Sequence, residues 1–389
     1  MADLVEVFGG HFMSPVPDPY PAYARLRRES PVFPMELPMG PAYMVTRHSD
    51  CTAVLRDAKL FSSQINARGI GTVMGRTIIE MDGKDHSRHR GLISPFFVPK
   101  AMDGEMAKGV QAVADQLVDR IAGRGRADLV AAFTLTFPLR IIARIIGLPI
   151  EDYDQFQKWA LAIIGFSDDP AAGMGAAAAV VEHLRPIAEA RKREPREDLL
   201  SQLVHAEVDG ERLEDEEVFS FLRLLIPAGA ETTYRLIGNT LFALLRHPEQ
   251  LEEVAADRSR IDWAIDEALR WEAPVCFAAR NATAPTSIAG VDIAEGAGLL
   301  VAISSANRDE SRYASADRFD IHRRAEDHIA FGFGRHFCAG AHLARLETKI
   351  ALATLFERLR NLRLDASEEC GVRGLAFRSP DRLPVRFDG

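Results

Sequence analysis

Apolar residues recur every three to four positions over six long segments, the spacing that places them on one face of an α-helix. These segments are 20–30, 100–123, 176–192, 216–250, 261–272 and 340–360. Short strand-like runs lie at 41–46, 286–293, 298–304 and 383–387. Helical and strand patterns do not alternate regularly, so a doubly wound parallel sheet is not predicted. The pattern predicts a mainly helical fold with a small β portion.

Glycine and proline never gather into a linker, and no segment is repeated. We therefore predict a single domain spanning 1–389. Its helix-rich core is expected at about 80–270 and 335–362, with small β-rich parts near 41–60, 275–305 and 370–389.

Composition and charge exclude several classes of protein. The chain has 389 residues, of which 47% are apolar and 26% charged, with a net charge of −9. These values are typical of an ordinary globular core and argue against a nucleic-acid partner. No basic, apolar leader opens the sequence, and no run approaches the length of a membrane span. We expect no membrane anchor and a cytoplasmic location.

The four cysteines, Cys51, Cys276, Cys338 and Cys370, are far apart and form no CxxC pair. This spacing argues against a disulfide framework or a zinc cluster. It is consistent with a reducing compartment.

The helical pattern at about 215–246 contains a weak point in IPAGAETTYR. Pro227 lacks an N–H for the helix ladder, and Gly229 costs about 1 kcal/mol relative to alanine. Thr232 can turn its hydroxyl toward the carbonyl of Ala228. Glu231 beside it is a carboxylate in a mainly apolar stretch, which is costly unless it is paired or used. The pair is consistent with a proton relay to a bound ligand, although Pro and Gly alone favour a tolerated kink in a core helix.

In IDEALRWEAP, Glu267 and Arg270 stand at i, i+3 on one helical face and can pair. An exposed ion pair of this kind is common and contributes little. The apolar neighbours indicate that this segment is largely buried.

The stretch FGFGRHFCAG places Cys338 among three glycines and just before a predicted helix. Gly332, Gly334 and Gly340 permit positive φ and close backbone approach. Free N–H groups at a helix start favour a thiolate, which suits an axial metal ligand. A small buried hydrophobe is the commoner fate of a free cysteine, but it needs neither this ring of glycines nor the flanking His336.

FGFGRHFCAG resembles the cysteine loop of the cytochrome P450 superfamily, FGxGxHxCxG, at every fixed position. Other segments fall in the family's order: DGKDHSRHRGLISPFF (82–97) resembles its haem-contacting helix, AGAETT (228–233) its oxygen-activation stretch and EALR (267–270) its Glu-x-x-Arg pair. ADRFDI (316–321) resembles the segment that precedes the cysteine loop. The resemblance covers nearly the whole chain.

The resemblance implies the P450 fold, with a long central helix over a thiolate-ligated haem b. It implies Cys338 as the axial ligand of the haem iron, Glu231 and Thr232 as catalytic relay residues, and Glu267, Arg270 and Arg318 as a structural network. The implied cofactor-binding residues are His86, Arg90, Phe97, Ala228, Gly229, Thr232, Arg280, Phe331, Gly332, His336, Cys338 and Gly340. The implied substrate-pocket residues are Leu224, Pro227, Ala228, Cys276, Phe277 and Ala278.

The implied function is a monooxygenase that inserts one oxygen atom from dioxygen into a hydrophobic small molecule, because the pocket residues are apolar. No reductase motif is present, so the electrons, ultimately from NAD(P)H, are expected from a separate ferredoxin or flavodoxin and its reductase. Arg88, Arg335 and Arg345 are candidates for docking that partner, and we expect a monomer. The alternatives are a peroxide-driven haem oxidase and a non-catalytic haem protein that binds ligands, neither of which needs Glu231 and Thr232. Neither the substrate nor the position oxidised follows from the sequence.

Overall fold

The apolar periodicity produces a mainly helical structure in a computed structural model that describes Phe8 and residues 14–37, 40–149 and 152–388. The helices are α1 (Tyr20–Glu29), α2 (His48–Arg56), α3 (Gly71–Met74), α4 (Gly83–Ile93), α5 (Glu105–Asp119), α6 (Phe137–Ile146), α7 (Tyr153–Ile164), α8 (Pro170–Arg193), α9 (Leu199–His205), α10 (Asp215–Arg246), α11 (Pro248–Ala256), α12 (Ile261–Trp271), α13 (Ile303–Ala306) and α14 (Ala341–Arg358). The strands are β1 (Val32–Leu37), β2 (Gly40–Val45), β3 (Phe61–Ser62), β4 (Arg126–Asp128), β5 (Glu207–Val208), β6 (Glu211–Arg212), β7 (Phe277–Ala282), β8 (Thr286–Ile288), β9 (Val291–Ile293), β10 (Gly298–Ala302), β11 (Arg360–Leu364), β12 (Val372–Arg373), β13 (Ser379–Pro380) and β14 (Pro384–Asp388). The predicted fold class, mainly α with a small β portion, is confirmed.

Each of the six predicted helical segments contains a helix, and α10 has the bounds that the pattern indicated. The prediction missed α2, α3, α6, α7, α9, α13 and most of α11. Strands also occur outside the expected β-rich parts, at β1, β4, β5, β6 and β11. None of the helices in the described ranges combines the length and apolar character needed to cross a membrane. The expectation that no leader opens the chain concerns mainly the first 13 residues, and of these the structure describes only Phe8.

The central helix α10 organises the helical core. It packs against α6, α7, α12 and α14 and is buried along most of its length. Its N-terminus carries Asp215, Glu216 and Glu217, which complement the helix dipole, and Glu214 and Glu217 form a capping box. Pro227 lies inside the helix, which continues through it.

Gly229 lies at a position where α6 packs tightly against α10. A Cβ atom added there would lie 2.8 Å from Cγ1 of Ile142, closer than real carbon contacts allow. Glycine at this position therefore lets the two helices pack tightly at the weak point of α10.

The main sheet has the strand order β1-β2-β10-β7-β3, in which β10 runs parallel to β2 and antiparallel to β7. Smaller units are the sheet β11-β14-β4 and the hairpins β5-β6, β8-β9 and β12-β13. A separate apolar cluster fills the space between this sheet and α2. Strand β7 is the part of the sheet that contributes to the site described below.

A buried ion-pair network joins α12 to the loops that precede the cysteine segment. Glu267 and Arg270 are completely buried and share two hydrogen bonds of 2.7 and 2.8 Å. Arg270 also donates to the carbonyl oxygens of Asn307, Ala316 and Arg318. The network ties three loop carbonyls to one guanidinium.

The prediction that Arg318 is the third charged member of this network is wrong. Its side chain is exposed, and only its backbone carbonyl takes part. Arg323 supplies the second guanidinium, with Nε 3.3 Å from Oε1 of Glu267. The loop turns between Arg318 and Arg323, so that Arg318 is exposed to solvent and Arg323 reaches Glu267.

We predict that Glu267→Gln destabilises the protein by about 3–5 kcal/mol, because Arg270 then keeps a buried charge without its counter-charge. Urea unfolding followed by circular dichroism measures the loss. Glu29→Gln is the matched control: it breaks the exposed i, i+4 pair with Arg25 and should leave the free energy of unfolding nearly unchanged. Equal effects of the two substitutions would contradict the structural role of Glu267.

Candidate active site

The cysteine loop is a tight turn that leads into α14. Gly332 and Gly334 have φ values of +74° and +72°, whereas Gly340 has an ordinary φ of −87°. The Cys338 N–H donates to the carbonyl of Phe331 at 2.8 Å. A Cβ at Gly334 would lie 2.8 Å from the carbonyl oxygen of Leu55 at the end of α2. The positive φ expected at Gly340 is therefore absent, and glycine is required by conformation at 332 and 334.

The Cys338 side chain is exposed to a cavity and is surrounded by protein. Burial raises the pKa of the thiol, while the Gly340 N–H and the Arg90 guanidinium lower it, and the net direction is upward. The helix start alone thus does not favour a thiolate, contrary to the expectation from the sequence. A bound metal cation does, because metal coordination deprotonates a thiol.

The cavity that Cys338 lines has a volume of about 390 Å³. Its walls come from α4, α6, α10, β7, α14 and the cysteine loop. The predicted cofactor-binding residues all line it, namely His86, Arg90, Phe97, Ala228, Gly229, Thr232, Arg280, Phe331, Gly332, His336, Cys338 and Gly340. The fold therefore brings together residues from four separate stretches of sequence.

Basic side chains converge on one edge of this cavity. The rings of His86 and His336 lie 4.2 Å apart, and Arg90 and Arg280 line the same space. Burial, followed by the charges of neighbouring basic groups, lowers the pKa of each histidine to about 4. The carboxylate nearest to the histidines is Asp82, with Oδ1 3.4 Å from Nε2 of His336.

This edge fits a group that carries two carboxylates, such as the propionates of haem. Arg280 is buried, and its hydrogen bond goes to the carbonyl of Ala279; among the described residues it has no ion pair. Burial lowers the pKa of Arg280 to about 10, only partly offset by Asp82. The buried Nδ1 atom of His86 has no hydrogen-bond partner within the part of the chain described. These donors have too few acceptors within the protein, and a ligand with two carboxylates would supply them.

Other parts of the cavity wall are apolar. Leu224, Ala228, Phe277 and Ala278 line the cavity as predicted for substrate contacts. The predictions for Pro227 and Cys276 are wrong: neither lines it. The Sγ atom of Cys276 is buried 3.9 Å from the carbonyl oxygen of Ala273, so this side chain faces the protein interior.

The two predicted relay residues point in different directions. Thr232 lines the cavity, and its hydroxyl donates to the carbonyl of Ala228 at 2.7 Å, as the sequence suggested. Glu231 does not line the cavity; it is 2% exposed and is bound by Arg235 and Tyr234. The structure therefore places the alcohol in the cavity and the acid behind it.

Several cavity residues were missed by the sequence analysis because they carry no motif. They are apolar residues from remote segments, namely Ile78, Ile79, Ile142, Leu225, Pro274, Val275 and Ile303. Apolar character alone does not separate a cavity wall from a core position.

The predicted docking arginines differ in their surroundings. Arg345 pairs with Asp266, and Arg88 pairs with Asp209. Arg335 is exposed and donates to the carbonyl of Gly83 and the hydroxyl of Ser87. Arg335 thus keeps its positive charge free of a carboxylate partner among the described residues.

Comparison with known proteins identifies this arrangement. A family model described as Cytochrome P450 matches residues 174–370. The chain is 37% identical to the cytochrome P450 monooxygenase PikC of Streptomyces venezuelae, over 95% of this chain and 91% of that protein. It is 35% identical to the vitamin D(3) 25-hydroxylase of Pseudonocardia autotrophica, over 98% and 96%. The crystal structure of P450BioI in complex with hexadec-9Z-enoic acid ligated acyl carrier protein superposes with a TM-score of 0.88 at 32% identity, covering 95% of this chain and 99% of that one.

We predict that Arg280→Gln weakens haem retention, because it removes a buried cation that has no ion pair of its own. The rate of haem transfer to a haem-scavenging protein measures haem retention. We expect this rate to rise at least about tenfold, because the variant loses one charge-assisted hydrogen bond. Arg68→Gln is the control, since that exposed arginine lies outside this cavity. Unchanged haem transfer in Arg280→Gln would show that Arg280 does not bind the cofactor.

Proposed function

This chain belongs to the cytochrome P450 family, and we propose that Cys338 supplies the thiolate that binds its haem iron. The chain is a haem-thiolate monooxygenase that uses dioxygen and electrons derived from NAD(P)H. The observation that carries the proposal for Cys338 is that its side chain lines one cavity together with the basic edge and the Thr232 face of α10. Thiolate-ligated haem supplies the oxidising chemistry, because the thiolate pushes electron density that favours O–O cleavage.

The chain's own residues bind and orient the cofactor in this proposal. Arg280, Arg90, His86 and His336 would hold the haem by donating hydrogen bonds to its propionates. Their placement on a helix, a strand and the cysteine loop fixes the orientation of the ligand from three sides.

The substrate is a hydrophobic small molecule, held by the apolar wall of the cavity. Leu224, Ala228, Phe277 and Ala278 offer no side-chain hydrogen bond or charge, so they select for shape and apolar area. The names of the relatives are consistent with this class, since one is a hydroxylase of vitamin D(3) and another binds a fatty acid on its carrier protein. They do not single out one substrate.

Thr232 is the residue that transfers protons to the cavity in this proposal. Its single hydroxyl proton is donated to the Ala228 carbonyl, so in this conformation the oxygen can only accept hydrogen bonds. To pass a proton into the cavity, the hydroxyl would turn away from Ala228, donate its own proton and take up another one from the acid. Glu231 is proposed as the acid that supplies this hydroxyl after leaving its buried partners.

The electron donor is a separate ferredoxin or flavodoxin with its reductase, docking near the exposed Arg335 beside the cysteine loop. An acidic partner would find there a cation without a carboxylate partner in the described chain. We further propose that the protein is a cytoplasmic monomer with one catalytic domain over residues 1–389.

We predict that Cys338→Ser abolishes the red-shifted Soret band that the carbon monoxide complex of ferrous haem shows under thiolate ligation. An alcohol is a much weaker ligand than a thiolate and cannot push electron density in the same way. Cys370→Ser is the control, because that thiol lies outside the cavity and its variant should keep the band. Retention of the band in Cys338→Ser would overturn the assignment of the ligand.

We predict that Thr232→Ala keeps its haem but diverts electrons from product into hydrogen peroxide. A positioned proton donor contributes about 10²–10⁴-fold, so coupled product should fall at least about tenfold. Product and peroxide per NAD(P)H are measured with a substrate that displaces the haem spin equilibrium.

Thr240→Ala is the matched control for Thr232→Ala. Thr240 lies on the same helix and donates to the carbonyl of Leu236 at 2.7 Å, the same i−4 hydrogen bond, but away from the cavity. The relay role of Thr232 is wrong if both variants stay fully coupled.

A further inference from the structure

Two ion pairs join α12 to α14 side by side. Asp266 pairs with Arg345, which we call the inner pair, and Asp262 pairs with Lys349 at 2.7 Å, which we call the outer pair. Because the partners stand four residues apart on each helix, the two pairs lie one helical turn from each other. The side chains of the inner pair are 12% and 33% exposed, against 50% and 46% for the outer pair. The inner pair is therefore the more buried of the two.

The inner pair also reaches the cysteine loop. The guanidinium carbon of Arg345 lies 5.3 Å from the centroid of the Phe331 ring, within the range of a cation–π contact. Phe331 lines the cavity, and its carbonyl oxygen accepts the N–H of Cys338 at 2.8 Å. Lys349 stands one turn further along α14, away from the loop that ends at Gly340. Through Phe331, Arg345 is thus connected to the cysteine.

His328 packs against the Phe331 ring as well, with 5.8 Å between the two ring centroids. The Nδ1 atom of His328 accepts the N–H of Ala330 at 3.2 Å, so the ring proton of His328 is on Nε2. This Nε2 atom lies 3.7 Å from Oδ1 of Asp266. Asp266 is therefore the common partner of Arg345 and His328, both of which contact the ring.

The charge of Asp266 keeps Arg345 beside this ring. Burial raises the pKa of Asp266, whereas the hydrogen bonds and charges of His328 and Arg345 lower it, and the net direction is downward. The carboxylate is therefore ionised at neutral pH. A guanidinium can pair with a carboxylate and stack on an aromatic ring at the same time. The inner pair thus fixes the position of Arg345 relative to Phe331.

We propose that Arg345, held by Asp266, is a positioning residue that fixes the Phe331 ring and so keeps Cys338 in place as the ligand of the haem iron. The inference rests on the proposed ligation by Cys338. When the ring is released, the carbonyl that receives the Cys338 N–H loses its fixed position, and the thiolate leaves the iron more readily. The sequence suggested that Arg345 docks the electron donor, but its guanidinium is already used within the protein.

The test measures how firmly the holoprotein keeps its thiolate ligand. The readout is the rate at which the red-shifted Soret band of the ferrous carbon monoxide complex decays, at a urea concentration below the global unfolding transition. Decay under these conditions reports local opening of the cysteine loop, while circular dichroism of the same sample shows that the fold persists. The variants are Arg345→Met, Asp266→Asn, Phe331→Leu, the double variant of Arg345 and Phe331, and Lys349→Met.

Arg345→Met should speed this decay about tenfold, because the Phe331 ring loses its contact with a cation. Asp266→Asn should speed it as well, since the guanidinium then loses the carboxylate that keeps it beside the ring. Lys349→Met is the matched control: it removes the cation of the outer pair on the same helix and should leave the rate within about twofold of the wild-type value. Equal acceleration by Arg345→Met and Lys349→Met would overturn the proposal, because both would then act only by loosening the contact between the helices.

The double variant tests whether Arg345 acts through the Phe331 ring. In Phe331→Leu the ring is already absent, so adding Arg345→Met should leave the decay rate of Phe331→Leu unchanged. A role of Arg345 elsewhere predicts that the two accelerations multiply, and this result would contradict the positioning role. If Phe331→Leu does not retain haem, the comparison of Arg345→Met with Lys349→Met decides the question by itself.

The docking role of Arg345 gives a different pattern. The rate of haem reduction under carbon monoxide is measured against the concentration of an iron–sulfur ferredoxin supplied with its reductase. Arg345→Met should keep the half-saturating ferredoxin concentration within about twofold of the wild-type value, because the guanidinium is already paired within the protein. If this concentration rises while the Soret band decays at the wild-type rate, Arg345 is a docking residue and the positioning role is wrong.

Failure of the proposed function is distinguishable from failure of this inference. A wild-type holoprotein without the red-shifted band would show that Cys338 does not bind the iron. A wild-type protein that shows the band, together with an equal decay rate in Arg345→Met, leaves the ligation by Cys338 intact and refutes the positioning role of Arg345.

Discussion

The burial of α10 is the constraint from which the rest of the structure follows. This helix of 32 residues is buried over most of its length, so helices must cover it on several sides. Close approach is possible at Gly229, where Ile142 occupies the space of the missing side chain. Where the covering helices leave α10 uncovered, the cavity opens along the face that carries Ala228 and Thr232. One helix thus supplies both the core and the reactive wall.

Charge is distributed around this helix in two contrasting ways. At the cavity edge, Arg280 and the two histidines have few carboxylates near them, and this arrangement fits an anionic ligand. Behind the helix, Glu231 and Arg235 satisfy each other in a buried pair. The first arrangement has donors left for a ligand. The second is electrostatically balanced, because the guanidinium of Arg235 neutralises the buried carboxylate of Glu231.

The cysteine loop shows how backbone geometry and electrostatics combine. Two glycines with positive φ fold the chain against α2, and the N–H of Cys338 is used within the loop itself. The thiol remains buried enough that its ordinary protonated form is favoured. Binding of a metal by Cys338, as we propose, would therefore be coupled to loss of the thiol proton.

The sequence by itself determined the mainly helical class and the bounds of α10, and its motifs predicted residues that the structure places around one cavity. These features depend on local periodicity and on a motif in which each position has a fixed conformational or chemical task, as at Gly332 and Cys338. The directions in which side chains point were predicted less well. Cys276 and Pro227 were assigned to the pocket by their position along the chain, although both point elsewhere.

Only the tertiary structure decided which remote groups meet. Arg323 replaces Arg318 in the network of Glu267 because a loop turns between them, and no periodic pattern reports a loop's path. The spacing of Glu231 and Arg235 was readable as an i, i+4 pair, but its burial and its anchor at Ser379, 144 positions away, were not. Local sequence fixes what a side chain can do, whereas its partners are set by packing between segments that are distant along the chain.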